Sequence, residues 1–117
     1  MEKSIIQNWI DALRSGKYKK VKGYLHKDDK FSAWGVLHDL YVKSVGSEYK
    51  WEYNNTQQCW CIWHYYYDCP CSIVLEWSGL WKRYDLPSNE WFGEISEMNE
   101  QGCTFNQIAD YIEMNIN

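Results

Sequence analysis

Four of the five cysteines lie in one short stretch with regular spacing, Cys59-x-Cys61 and Cys69-x-Cys71, seven residues apart. On extended chain, residues two apart share a face. Two such arms facing each other across a hairpin would converge four thiolates, the donor set of a tetrahedral zinc site, with His64 as a substitute ligand. Structural zinc knuckles use C-x2-C, whose turns aim backbone amides at the sulfurs, and these arms lack that spacing. The expectation is therefore buried thiols and no cofactor, with zinc on Cys59, Cys61, Cys69 and Cys71 as the alternative. Disulfides do not suit a reducing compartment. Cys103, placed between two helical stretches, reads as packing.

The aromatic side chains are the second unusual group. Eight Trp, ten Tyr and three Phe make up 18% of the chain, and Trp60, Trp63, Tyr65, Tyr66 and Tyr67 crowd together. Three consecutive tyrosines on extended chain cannot all face one core, so at least one ring is expected to meet solvent. Such rings dominate interface hot spots, and they also stack on bases and sugars. Alternatively, a small core uses Trp where others use Leu.

Charge is unevenly spread. From Asp85 to the C-terminus there are seven acidic residues and no Lys or Arg. Glu90, Glu94, Glu97 and Glu100 share an arc if their segment is continuously helical, opposite a Trp91, Ile95, Met98 stripe. Such a ridge suits a basic surface on a partner, including one that normally holds nucleic acid, although a row of carboxylates is more often a solvated face. Lys17 to Lys30 holds six lysines but no nucleic-acid motif, so direct nucleic-acid binding is not expected. Residues 97–112 suggest two helices of a helix-turn-helix, but an acidic last helix is a poor reader of DNA. Catalysis finds little support. His26, His38 and His64 are scattered, His38 and Asp39 are adjacent on a helix and diverge, and no nucleophile elbow, phosphate loop or H-E-x-x-H is present.

These residues must be positioned by one domain, residues 1–117. The chain has 117 residues, net charge −4 and 45% apolar content, a size at which about two-thirds of the unfolded surface can be buried in a single core. No apolar run approaches the ~18 residues of a membrane span, and the start, MEKSIIQNWIDALR, lacks a signal-peptide core, which reads as intracellular.

The pattern predicts an α+β fold: N-terminal helices, a small antiparallel sheet in the middle and a C-terminal helical pair. Ser4 and Gln7 cap a first helix with Ile5, Ile6, Trp9, Ile10 and Leu13 on one stripe, ended by Ser15-Gly16. Residues flanking Asp28-Asp29 suggest a short hairpin. Ser32 caps a helix over Ala33–Val45 with Trp34, Leu37, Leu40 and Tyr41 inward. Residues 59–63 and 72–77 read as β-like runs joined by a hairpin loop, in a sheet of two to four strands. A helix follows Pro87 up to Gln101-Gly102, and Thr104 with Gln107 boxes a last helix facing inward through Phe105, Ile108, Ala109, Ile112 and Ile116.

Three segments together carry a resemblance: Trp9-Ile10-Asp11-Ala12-Leu13-Arg14-Ser15-Gly16-Lys17-Tyr18 with Gly23-Tyr24-Leu25, Phe31 to Leu40 with its Gly35-Val36-Leu37-His38-Asp39, and Ile95 to Glu113 with its Ile108-Ala109-Asp110-Tyr111-Ile112-Glu113. They resemble a family of small proteins encoded largely by bacteriophages and prophages, with no assigned activity. The likeness spans roughly residues 9–45 and 86–113 and leaves out the aromatic middle. Members often carry cysteines where this chain has Ser32, Ala33 and His38, so no thiol or metal role passes to those positions. The resemblance implies a phage accessory protein in the host cytoplasm.

With the acidic ridge and the aromatic block, that context leads to one expectation. The chain binds and inhibits a host protein, such as a defence component, without catalysis, through Trp60, Trp63, Tyr65, Tyr66, Tyr67, Glu90, Glu94, Glu97 and Glu100. Self-association through exposed aromatic rings is a further expectation. The alternatives are a small-molecule or nucleotide binder with an aromatic pocket, and a zinc-stabilised interaction module.

Overall fold

A computed structural model describes residues 4–45, 50–61, 71–80 and 90–116. Helix α1 (Ile5–Arg14) starts as its sequence dictates, with the Ser4 hydroxyl accepting from the Gln7 N–H at 3.0 Å. It buries Ile6, Trp9, Ile10 and Leu13, the stripe that a 3.6-residue period places on one face. Three two-residue strands follow: β1 (Lys19–Lys20), β2 (His26–Lys27) and β3 (Lys30–Phe31). The two-residue turn between β2 and β3 is Asp28-Asp29, with Asp28 at φ 54°, a left-handed conformation that Asp tolerates better than most residues.

Helix α2 (Ala33–Val45) is the central element, buried along Trp34, Val36, Leu37, His38 and Tyr41. Its N-terminus is capped twice. The Ser32 hydroxyl accepts from the Gly35 N–H at 3.0 Å, and the Asn99 side chain accepts from the Ala33 N–H at 3.0 Å. Strands β4 (Glu52–Asn54) and β5 (Cys59–Cys61) complete a five-stranded sheet in the order β1-β3-β2-β5-β4. The chain ends in α3 (Ser72–Ser78), α4 (Glu90–Glu100) and α5 (Phe105–Asn115), with α1 packed chiefly on α5 and α2. The fold is α+β.

Two expectations about the middle need correction. The sheet is mixed rather than antiparallel, because β1 runs parallel to β3, and it has five strands. Residues 72–78 are helix, not strand. A short apolar run fits either state, and packing decides it. As a helix the segment buries Val74, Leu75 and Ser78 on one side, sets Trp77 edge-on to Tyr41 of α2 at 5.1 Å, and stops at Gly79 with φ 87°. Strand β5 consequently pairs with β4 and β2.

The Thr104–Gln107 capping box at the start of α5 forms as expected, with both reciprocal hydrogen bonds present at 3.1 and 2.9 Å. Thr104→Ala removes one of them and is expected to lower stability by about 1 kcal/mol. The urea midpoint, compared at constant m-value, measures this.

Candidate functional site

Cross-strand register places one residue from each strand in a single row across the sheet. Lys20 is opposite Phe31, Phe31 opposite His26, His26 opposite Trp60 and Trp60 opposite Tyr53. Residues directly opposite share a face, and the rings stack accordingly. His26 lies parallel to Phe31 at 3.9 Å and to Trp60 at 5.7 Å, and Tyr53 meets Trp60 edge-on at 5.3 Å. Trp51 covers the row, 4.9 Å from His26 and 6.1 Å from Phe31. The row runs from the core, where Phe31 packs, out to Tyr53, which is exposed. Trp60 is half-buried inside this ladder. Trp63, Tyr65, Tyr66 and Tyr67 lie outside the described residues.

Three of the four clustered cysteines lie among the described residues. Cys59 and Cys61 are buried on β5, whereas Cys71 is buried at the residue that opens α3, and Cys69 and His64 lie outside the described residues. The expected second run does not continue as a strand, because residues 72–78 are helix. No group of three His, Cys, Asp or Glu suited to a metal occurs among the described residues.

Two ionisable groups on α2 are buried, and both are engaged. His38 Nε2 lies 2.9 Å from the Cys71 N–H, which can only donate, so Nε2 accepts. Nδ1 then carries the proton and donates to the Trp34 carbonyl at 2.7 Å. Complete burial pushes the imidazole down to about 4, so it is neutral at physiological pH. Asp39 accepts from Tyr18 at 2.6 Å and Trp51 at 3.1 Å and pairs with Lys43 at 2.9 Å. Burial alone would raise its carboxyl, but the bonds from Tyr18, Lys43 and Trp51 outweigh it and hold the pKa below the ordinary value. Tyr18 in turn is pushed up to about 12, first by burial and then by the Asp39 carboxylate. These side chains join α2 to the segments around it and present no nucleophile beside a base. His38 and Asp39 do diverge, as their adjacency on a helix requires.

The acidic segment is continuous helix. Eleven residues of α4 carry Glu90, Glu94, Glu97 and Glu100. The Ile95 and Asn99 side chains turn inward, while Glu94, Glu97 and Glu100 are exposed. The side chains of Glu90 and Trp91 lie outside the described residues. The acids of α5 differ in kind, because Arg14 of α1 reaches Asp110 at 2.6 Å and Glu113 at 3.1 Å. Among the described residues neither Glu94 nor Glu97 has a cationic partner; Glu97 accepts from Gln101 at 2.9 Å. Glu100 accepts from the Gly23 N–H at 2.8 Å and from Asn99 at 3.3 Å.

Asn99 is the residue that sequence reasoning missed. Besides capping α2, it donates to the Val21 carbonyl at 2.9 Å, so one amide ties α4, α2 and the lysine-rich loop together. The available signal was an Asn at a position that should have continued the apolar stripe of α4.

The described geometry defines a small α+β domain with a fully hydrogen-bonded buried polar network and one acidic helix face. No described helix is long and apolar enough to cross a membrane. The chain belongs to the family described as a domain of unknown function, DUF8296, whose model matches residues 1–116. No curated protein and no solved structure matches the chain.

Proposed function

We propose that this protein is a non-catalytic binding protein whose acidic α4 face docks on a basic surface of a protein partner. One observation carries the reading: Asp110 and Glu113 share an ion pair with Arg14, whereas Glu94 and Glu97 stand exposed on the same side of α4 with no cation on them among the described residues. Aligned carboxylates of this kind raise the rate and specificity of association with a positively charged surface. The half-buried Trp60 and exposed Tyr53 offer a second contact area on the sheet. The resemblance to phage-encoded chains supports a bacterial host protein, a defence component first, as the partner, and inhibition as the outcome.

The test compares capture from bacterial lysate by the wild-type chain and by Glu94→Lys/Glu97→Lys. Both positions are exposed, so the variant is expected to keep its fold, checked by circular dichroism. The expected result is one basic protein retained stoichiometrically at low salt by the wild type, with binding reduced at least roughly tenfold by the double reversal. Equal retention by both chains, or by neither, overturns the reading.

A further inference from the structure

A cavity of about 240 Å³ opens where α4 meets the loop before β2 and the start of α2, walled by Tyr24, Ser32, Trp34, Ser96, Asn99 and Glu100. It adjoins the acidic face, because Glu97 and Glu100 are three residues apart on the same helix. Its volume falls below the roughly 300–1,000 Å³ of sites for drug-sized ligands and cofactors, but it accommodates one long side chain.

The walls select which side chain. Trp34 is fixed by an indole N–H donated to the Ser96 hydroxyl at 3.1 Å, and Tyr24 already carries a cation, the Lys27 ammonium, 4.5 Å from its ring centroid. Among the described residues Glu100 is the one charged residue on the wall, and both of its hydrogen bonds run to Oε2. Asn99 has no donor left, since its NH₂ donates to Val21 and Glu100, while its oxygen accepts from the Ala33 N–H. A site with the half-buried Tyr24 ring and, among the described residues, a single carboxylate fits a planar cation that stacks and pairs at once, which is arginine rather than lysine.

We infer that this cavity receives an arginine side chain of the protein partner, with the guanidinium on the Tyr24 ring, above the buried Trp34 that floors the cavity, and its N–H groups on the Glu100 carboxylate. The inference rests on the partner reading above and adds to it the anchor residue of that partner. Lys20 lies within electrostatic reach of Glu100, so an isolated arginine competes with it.

The test is an NMR titration of the full chain with acetyl-Gly-Arg-Gly-amide, followed at the Trp34 indole N–H and the Gly23 amide. The expected result is saturable shifts of both signals, absent with the citrulline peptide, which keeps the shape and loses the charge. Glu100→Gln retains an acceptor for the Gly23 N–H, so the loop stays anchored, and it is expected to weaken the peptide at least about fivefold. Glu94→Lys/Glu97→Lys is expected to leave the peptide shifts in place, which separates this site from the wider docking face. Tyr24→Leu gives a second route to the same loss. No shift with the arginine peptide, or equal shifts with citrulline, overturns the inference even if a basic partner is captured. Peptide binding without any captured partner instead removes the docking reading and leaves the cavity's selectivity standing.

Discussion

Gly35→Ala is expected to destabilise the domain by at least about 3 kcal/mol, the upper end of the cost of overpacking. Considered as helix alone, the substitution should help, because alanine exceeds glycine by roughly 1 kcal/mol in a helix interior. The neighbour decides the sign. A Cβ on Gly35 would lie 1.7 Å from the Leu25 carbonyl oxygen and 2.7 Å from its carbon. These are backbone atoms, and the same carbonyl accepts from the Ser32 N–H at 3.0 Å, so the segment cannot step aside without losing the approach of the loop to α2. Gly93, on α4, has nothing among the described residues within 4 Å of its Cβ position, and Gly93→Ala is expected to stabilise by up to about 1 kcal/mol. Two helical glycines therefore respond with opposite signs, which urea unfolding of both variants measures. Gly35→Ala at or above wild-type stability would contradict this packing.

The second large effect is acid destabilisation through His38. The folded-state pKa is depressed from 6.5 to about 4 by burial. Below pH 6.5 the unfolded chain binds a proton that the folded chain does not, so stability is complete above that pH and falls as pH drops toward 4. At about 1.36 kcal/mol per pH unit the full loss is roughly 3 kcal/mol. Protonation also turns Nε2 from an acceptor into a donor facing the Cys71 N–H, unlatching α3 from α2. His26, half-buried in the aromatic row, is depressed first by burial and adds a loss of the same sign. His38→Gln isolates the larger share, because it removes the titration and retains a side-chain amide. Its stability at neutral pH is expected to be lower, since a poorly placed acceptor leaves the Cys71 N–H unmet at a cost of about 1–3 kcal/mol. Its pH dependence between 6.5 and 4.5 is expected to be flatter than that of the wild type. Identical pH slopes would contradict the burial and the hydrogen bonding assigned to His38.

How far the chain could be read in advance follows from where its information lies. Helices α1, α2 and α5 were legible because local signals agree: Ser4 with Gln7, Ser32 with its capped amide, Thr104 with Gln107, each ahead of a 3.6-residue apolar stripe. The Asp28-Asp29 turn was legible for the same reason. Residues 72–77 were not, because the β-branched Ile73 and Val74 favour strands intrinsically, and the helix packs through Tyr41 and His38 of α2, which no local pattern reveals. The sheet row from Phe31 to Tyr53 also needed the fold, since its rings come from four strands of two or three residues each. The α4 carboxylate arc was visible as spacing, but the distinction between Asp110 and Glu113, held by Arg14, and Glu94 and Glu97, which are not, rests on contacts some hundred positions apart. The cavity beside Glu100 had no sequence signature. Trp34 read as an inward residue of α2, and nothing in the sequence joined it to Tyr24 and Asn99 until the loop, α2 and α4 were brought together.

The central claim, docking through the α4 carboxylates, is tested most directly by titrating the captured partner calorimetrically against the wild type and Glu94→Lys/Glu97→Lys across a series of salt concentrations. Wild-type affinity is expected to fall steadily as salt rises, with a shallower slope and weaker binding at low salt for the double reversal. An affinity that ignores salt, or the same curve for both proteins, would contradict it.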